Sequence, residues 1–173
     1  MEAERRPAFS VWELCVMALL TAILFLQEEL LNFLPNVQLT VFLILLYAKC
    51  LGFWKTMMIV TAYLLLDAAF MGSLNPVFTT GQWIGWMLNP LITCTCLRKT
   101  ENSVALAGAA AGFALLYCWV MILPTMWMLH VDFVPYMLSD IPFELILAAS
   151  SFLSTLLLYD PLRKLLPKLL GRM

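Results

Sequence analysis

Carboxylates inside apolar stretches are the residues of this chain that are most able to take part in binding or chemistry. Asp67 lies twelve residues after Lys55, which is about 18 Å along a helix. A carboxylate at that depth in a bilayer costs several kcal/mol unless it is paired, protonated or facing water. Asp67 therefore predicts either a solute or ion site, or a structural pair with an amide or hydroxyl such as Asn89.

A second acidic pair lies near the end of the chain. Glu144 follows Asp140 by four residues, so both carboxylates lie on one face of a helix. Two like charges on one face indicate either a cationic partner or a solvated rim. Glu28-Glu29 has the same two interpretations. The nearby Trp83 and Trp86 fit an aromatic belt at the membrane interface or a stacking wall for a ring-bearing ligand.

All of these groups belong to segments that contain no Lys or Arg. The polar residues of those segments are Glu28, Glu29, Asn32, Asn36, Asp67, Asn75, Gln82, Trp83, Trp86, Asn89, His130, Asp132, Tyr136, Asp140 and Glu144. With His130 as the only histidine, and the five cysteines all within apolar segments, the sequence predicts no metal site, no cofactor and no disulfide framework.

The ten Lys and Arg residues fall on alternate gaps between hydrophobic segments. They are Arg5, Arg6, Lys49, Lys55, Arg98, Lys99, Arg163, Lys164, Lys168 and Arg172. This is the positive-inside pattern of a polytopic membrane protein. The chain is 63% hydrophobic with a mean hydropathy of +0.91, so the bilayer must act as its solvent. A net charge of −1 gives no indication of nucleic-acid binding.

Hydropathy and helix punctuation predict an all-α, six-transmembrane-helix bundle with both termini cytoplasmic, in a single integral membrane domain spanning residues 1–173. The expected helices are about 10–34, 36–53, 55–71, 82–97, 103–129 and 141–159, followed by an amphipathic tail at 162–170 on the inner leaflet. Ser10 and Glu13 form a capping box for the first helix. Helices 2, 3 and 4 are short for a core of about 30 Å, which indicates local thinning or a cavity open at one face.

Two faces of small residues suit close helix approach. On helix 1 the residues Cys15, Ala18 and Ala22 follow an i, i+3, i+7 spacing, which leaves this face available to another subunit. On helix 5 the same spacing is formed by Ala105, Gly108 and Gly112, with Ala109 beside them. We expect that second face to serve packing inside the bundle.

Two blocks of the sequence resemble substrate-binding S-components of energy-coupling-factor (ECF) vitamin transporters. The first comprises Leu34–Thr40, Leu46–Lys49 and Gly52; the second comprises Asp140–Leu145 and Leu158–Leu162. Ala18 and Ala22 are similar to the AxxxA motif with which these subunits meet the transmembrane coupling subunit. The helix count and chain length also agree with this family.

The resemblance implies a prokaryotic multi-pass protein of the cell membrane that is not an enzyme. Its partners would be an ECF transmembrane coupling subunit, contacted through Cys15, Ala18 and Ala22, and two ABC ATPase subunits. It would bind a small vitamin-like solute in an outward-facing pocket. The implied pocket residues are Glu28, Asn32, Asn36, Gln38, Asp67, Asn75, Trp83, Trp86, Asn89, Tyr117, Trp127, Tyr136, Asp140 and Glu144. The excess of carboxylates predicts a neutral or cationic solute.

Three other classes of protein remain open. A six-helix scaffold of the rod-shape-determining type needs no pocket, so its outer acids would simply be solvated. An intramembrane enzyme is suggested by Glu28-Glu29, but one histidine does not supply the partners that such chemistry needs. A free-standing small transporter would use Asp67 as a proton or sodium site. Co-purification with ATPase subunits separates the S-component from all three.

Overall fold

The computed structural model of the protein describes residues 9–72 and 75–170. Arg5, Arg6 and Arg172, which enter the charge pattern, lie outside the described residues. Within the described ranges the chain forms six helices and no strand. The helices are α1 (Val11–Leu31), α2 (Thr40–Leu51), α3 (Phe53–Phe70), α4 (Pro76–Thr95), α5 (Ser103–Leu129) and α6 (Phe133–Leu170). The predicted all-helical class is confirmed.

The segment between α1 and α2 is longer than the sequence suggested. The predicted capping box is present: the Ser10 hydroxyl accepts from the Glu13 N–H, and the Glu13 carboxylate accepts from the Ser10 N–H. However, α1 ends at Leu31 and not at residue 34, and α2 begins at Thr40 and not at residue 36. Asn36 adopts a left-handed backbone with φ of 55°, which neither helix can continue through. As a result α2 has only 12 residues.

The next two helices both begin earlier than predicted. Gly52, with φ of 82°, turns the chain in a single residue, so α3 begins at Phe53 and not at residue 55. Helix α4 begins at Pro76 and not at residue 82, because the Asn75 side chain caps the N–H groups of Val77 and Phe78. A proline at the first helical position completes that start signal. The predicted bounds of α5 are confirmed.

The predicted bounds of the last helix, 141–159, and the separate tail at 162–170 are wrong. Helix α6 is one continuous helix of 38 residues. Proline removes one backbone hydrogen bond, but Asp160-Pro161 does not end the helix because tertiary contacts hold both sides of it. Asp160 accepts a hydrogen bond from Ser103 at 2.7 Å, and Arg163 forms an ion pair with Glu101 at 2.7 Å.

The short helix α2 is the centre of the bundle. Every residue from Thr40 to Ala48 is buried, and α2 contacts all five other helices. Around it, neighbours pack in the order α1, α3, α4, α5, α6. Its 12 residues span about 18 Å, whereas the 20 residues of α4 span about 30 Å. A short centre inside a longer ring produces a depression at one end of the bundle.

The described Lys and Arg residues lie at one end of the bundle, which we call the basic end. Lys55 pairs with Glu13 at 2.7 Å and joins the starts of α3 and α1. The Lys49 ammonium donates to the backbone carbonyls of Leu97 and Thr100, both at 2.6 Å, and so joins the end of α2 to the turn between α4 and α5. The depression above α2 lies at the opposite, acidic end.

Four helices are long and apolar enough to cross a membrane by length and composition: α1, α3, α5 and residues Phe133–Leu166 of α6. Helix α2 is apolar but too short. Helix α4 has the length, yet its polar residues, among them Gln82 and Asn89, lower its hydropathy. The structure thus supports a membrane-like helical bundle in which two of the six helices are atypical.

Helices α4 and α5 approach closely through glycines of α4. A Cβ placed on Gly81 would lie 2.7 Å from Cγ of Pro124, and one on Gly85 would lie 2.8 Å from the ring of Tyr117. The small face of α5 behaves differently. Gly108 and Gly112 are exposed, and a Cβ at either would meet nothing within 4 Å. The prediction that this face packs inside the bundle is therefore wrong.

This contrast gives a paired stability prediction. Gly81→Ala should lower the free energy of unfolding by about 1–3 kcal/mol, because the rigid Pro124 ring cannot move away from the added methyl group. Gly108→Ala should leave stability unchanged or raise it by up to about 1 kcal/mol, because it only adds helix propensity. Thermal unfolding of both variants in detergent measures the difference, and equal destabilisation would contradict the close approach.

Candidate functional site

Glu28 and Tyr63 form the centre of a candidate site at the acidic end. The Tyr63 hydroxyl donates a hydrogen bond to the Glu28 carboxylate. Tyr63 is 2% exposed, so α3 holds one end of this bond rigidly. Asp67, one turn further along α3, is close enough to Glu28 for their charges to repel each other. Glu28 is therefore a carboxylate that is held in place through the buried Tyr63.

An aromatic stack forms the wall beside these acids. The rings of Trp86 and Tyr117 lie 3.8 Å apart between centroids at an angle of 18°. Trp86 is only 2% exposed, so its interpretation as an interfacial belt residue is wrong. Gln82 lies beside the Tyr117 hydroxyl. We call Glu28, Tyr63, Asp67, Trp86 and Tyr117 the acidic–aromatic cluster.

Asp67 has no hydrogen bond or ion pair from its carboxylate within residues 9–72 and 75–170. The structural partner considered for it, Asn89, is committed elsewhere. The Asn89 amide donates to the Val41 carbonyl at 3.0 Å, and its oxygen accepts from Thr93 at 3.2 Å. The pairing of Asp67 with Asn89 is therefore wrong, and Asn89 braces α4 against the buried start of α2.

Four predicted ligand residues line one small pocket above α2. Glu28, Asn32, Asn36 and Gln38 surround a space of about 120 Å³. Pockets that enclose whole drug-sized ligands hold roughly 300–1,000 Å³. This pocket therefore accommodates one polar group of such a solute, with a carboxylate on one side and amides on the other.

Gln27 fixes the geometry of this pocket. Its amide nitrogen donates to the Thr40 hydroxyl at 2.8 Å and to the Leu24 carbonyl at 3.0 Å. Its oxygen accepts from the Leu39 N–H at 2.8 Å. The Thr40 hydroxyl donates in turn to Gln38 at 3.0 Å. One buried amide thus ties the end of α1 to the start of α2 and orients a pocket residue.

Tyr136, Asp140 and Glu144 form a second acidic group between α5 and α6. Glu144 is 7% exposed, and within the described part of the chain its Oε1 atom has no hydrogen-bond partner. Cys118 and Trp119 of α5 are its neighbours. This group belongs to α6, whereas the acids of the acidic–aromatic cluster belong to α1 and α3.

The remaining predicted ligand residues have other positions. Asn75 caps α4. Trp83 is partly exposed, and its indole N–H donates to the Thr61 hydroxyl at 2.9 Å. Trp127 is 68% exposed. On α1, Cys15 and Ala18 are exposed and Ala22 is half-buried, so the predicted partner face lies on the outside of the bundle.

Two residues of the site, Gln27 and Tyr63, were absent from the sequence prediction. The signal for Gln27 was its place on the buried stripe of α1, which runs Met17, Leu20, Leu24 and Gln27 at helical spacing. The signal for Tyr63 was its position four residues before Asp67, on the same helix face.

The chemistry of this site is recognition by charge, hydrogen bonds and ring stacking. In the described part of the chain no group of three or more His, Cys, Asp or Glu residues is close enough to hold a metal ion. Every described Lys and Arg lies at the basic end, so an anion would find no basic side chain at the cluster.

Comparison with protein families, with characterised proteins and with solved structures finds no match to this chain.

The Gln27 network yields a second prediction. Gln27→Leu keeps the side-chain volume but leaves the Leu39 N–H without a partner and removes the donor to the Thr40 hydroxyl. A buried unpaired donor costs about 1–3 kcal/mol, so the free energy of unfolding should fall by that amount. Thr95→Val is the control, since Thr95 is exposed and its hydroxyl bonds within its own helix. Similar thermal stability of the two variants would argue against the network.

Proposed function

We propose that this protein is the substrate-specific membrane subunit of an ECF-type ABC importer. It binds a neutral or cationic vitamin-like solute at the acidic end and delivers it inward with partner ATPases. In this proposal the acidic end faces outward, the basic end and both termini are cytoplasmic, and the protein resides in a prokaryotic cell membrane. The protein has no catalytic chemistry of its own.

The observation that carries the proposal is the acidic–aromatic cluster. A carboxylate held by a buried tyrosine, a second carboxylate without a partner among the described residues, and stacked rings beside them form a prearranged polar site within an apolar bundle. Intramembrane ionisable groups cost free energy and usually mark a functional site. A solute that neutralises Asp67 would offset that cost, and a rigid cluster loses little entropy on binding.

Charge decides the class of solute. Two unit charges about 4 Å apart interact with about 4 kcal/mol at an effective dielectric of 20. An anion near Glu28 and Asp67 would be repelled twice, with no described Lys or Arg at this end to compensate. A neutral or cationic, ring-bearing compound is favoured, such as a thiamine-like, cobalamin-like or deazapurine-like vitamin. Biotin, folate and pantothenate are disfavoured.

The outer face of α1 supports a partner of the kind that an importer needs. Cys15 and Ala18 are exposed, and Leu19 and Leu26 beside them are also exposed. Small side chains let another helix approach closely, because packing replaces hydrophobic burial as the driving force in lipid. The face lies towards the basic end of α1, away from Glu28, so partner and solute can bind at once.

The partner face gives the third prediction. Ala18→Trp should prevent co-purification with a transmembrane coupling subunit and its ATPases, and cellular uptake should fall at least tenfold. Solute binding by the isolated protein should survive, because the cluster is several helical turns away. Ala62→Trp on the exposed face of α3 is the matched control and should preserve uptake. Uptake that survives Ala18→Trp would exclude this face as the contact.

The cluster gives the fourth prediction. Calorimetry of the purified protein against a vitamin panel should detect binding of a neutral or cationic compound. Asp67→Asn should weaken binding of a cationic compound about 10- to 100-fold, because a hydrogen bond to a charged group contributes about 1.5–3 kcal/mol. Asp132→Asn, an exposed acid outside the cluster, is the control. Tight binding of a carboxylate vitamin that Asp67→Asn and Glu144→Gln leave unchanged would overturn the charge argument.

A free-standing transporter is the second candidate, favoured by Asp67, whose carboxylate has no partner within residues 9–72 and 75–170. Such a protein would take up solute without any ATPase subunit, and uptake would depend on a proton or sodium gradient. Proteoliposomes that contain this protein alone distinguish the two, because an importer subunit would bind solute there without transporting it.

A further inference from the structure

A groove on the outside of the bundle, between α4 and α5, is separate from the acidic–aromatic cluster. It has a volume of about 470 Å³ and is lined only by apolar residues, among them Ile92, Leu97, Gly112, Phe113 and Trp119. The groove is open because the α5 residues on this face, Ala109 and Gly112, have small side chains or none. A Cβ on Gly112 would meet nothing within 4 Å.

The groove begins at the basic end. Leu97, one of its lining residues, is followed directly by Arg98 and Lys99, which are both exposed. Neither side chain forms an ion pair within residues 9–72 and 75–170. Positive charge therefore lies next to one end of the apolar groove, and no described Lys or Arg lies at its other end.

The turn that carries these two cations is held in place. The Lys49 ammonium donates to the carbonyls of Leu97 and Thr100 at 2.6 Å, and to that of Arg98 at 3.3 Å. Arg98 and Lys49 also line a neighbouring pocket of about 300 Å³. The Lys49 ammonium thus adds a third positive charge beneath the turn, and its hydrogen bonds hold the backbone of the turn in place.

The dimensions match one leaflet of a bilayer. Ser103 begins α5 at the basic end, so Gly112 lies about 13.5 Å along the helix. Half of a hydrocarbon core is about 15 Å. An acyl chain whose headgroup lies at Arg98 and Lys99 would therefore run over Gly112 and end near the middle of the bilayer.

We propose that this groove is a binding site for one anionic phospholipid, whose phosphate lies at the Arg98-Lys99 turn and whose acyl chain lies along α5 over Gly112. Charge complementarity selects the lipid over a transmembrane helix, because an apolar helix would leave the cations unused. This lipid site does not depend on the solute-binding proposal, because none of its lining residues belongs to the acidic–aromatic cluster.

Native mass spectrometry of the purified full chain tests the proposal with phosphatidylglycerol and phosphatidylcholine. Wild-type protein should retain phosphatidylglycerol preferentially. Each basic residue near the headgroup contributes about fivefold in affinity, so R98Q/K99Q should weaken phosphatidylglycerol retention about 10- to 30-fold. K164Q/K168Q, which removes the same charge at the end of α6, is the matched control and should change retention less than threefold.

A second pair of variants tests the groove itself. Gly112→Leu fills the space above the α5 backbone and should reduce retention of phosphatidylglycerol at least fivefold, while Ala62→Leu on α3 should not. Thermal unfolding shows that each variant is folded. Equal losses in both double variants, or no loss in Gly112→Leu, would overturn the site. A dimer or subunit contact that Gly112→Leu breaks while lipid retention persists would assign the groove to a protein helix and also overturn the proposal.

Discussion

The architecture depends on burying a helix that is too short to cross a bilayer. Helix α2 spans about 18 Å of a hydrocarbon core of about 30 Å, so its first turn lies well below the acidic end. No lipid can supply hydrogen bonds there, and the surrounding helices must do so. Gln27 contacts Leu39 and Thr40 from one side, and Asn89 contacts Val41 from the other. Glu28 lines the small pocket that lies above this short helix.

The two ends of the bundle are organised by different interactions. At the basic end three cations are paired or hydrogen-bonded, Lys55 with Glu13, Arg163 with Glu101, and Lys49 with three carbonyls, whereas Arg98 and Lys99 form no ion pair within residues 9–72 and 75–170. At the acidic end, Asp67 and Glu144 retain oxygens without partners in the described part of the chain.

The sequence predicted the elements better than it predicted their ends and their neighbours. Hydropathy located six helices, and strong local signals such as the Ser10–Glu13 box and the bounds of α5 were correct. The error at α6 arose because tertiary contacts of Asp160 and Arg163 carry the helix past Pro161. The errors at α2 and α4 arose from local signals that were missed, namely the left-handed Asn36 and the Asn75 cap. The site could be predicted only in part. Asp67 can be recognised from the sequence, because a carboxylate within an apolar segment costs free energy. The grouping of the acids could not be predicted, because it depends on which helices contact one another.

The continuity of α6 has a mechanical consequence. Pro142 and Pro161 lie inside the helix and are 19 residues apart, which is about 28 Å and close to the thickness of a hydrocarbon core. Each proline removes the hydrogen bond to the carbonyl four residues earlier, at Leu138 and Leu157. The two prolines are therefore separated by about the thickness of a hydrocarbon core. No proline interrupts the helix between these two residues, so we expect this stretch to be stiffer than the segments around Pro142 and Pro161.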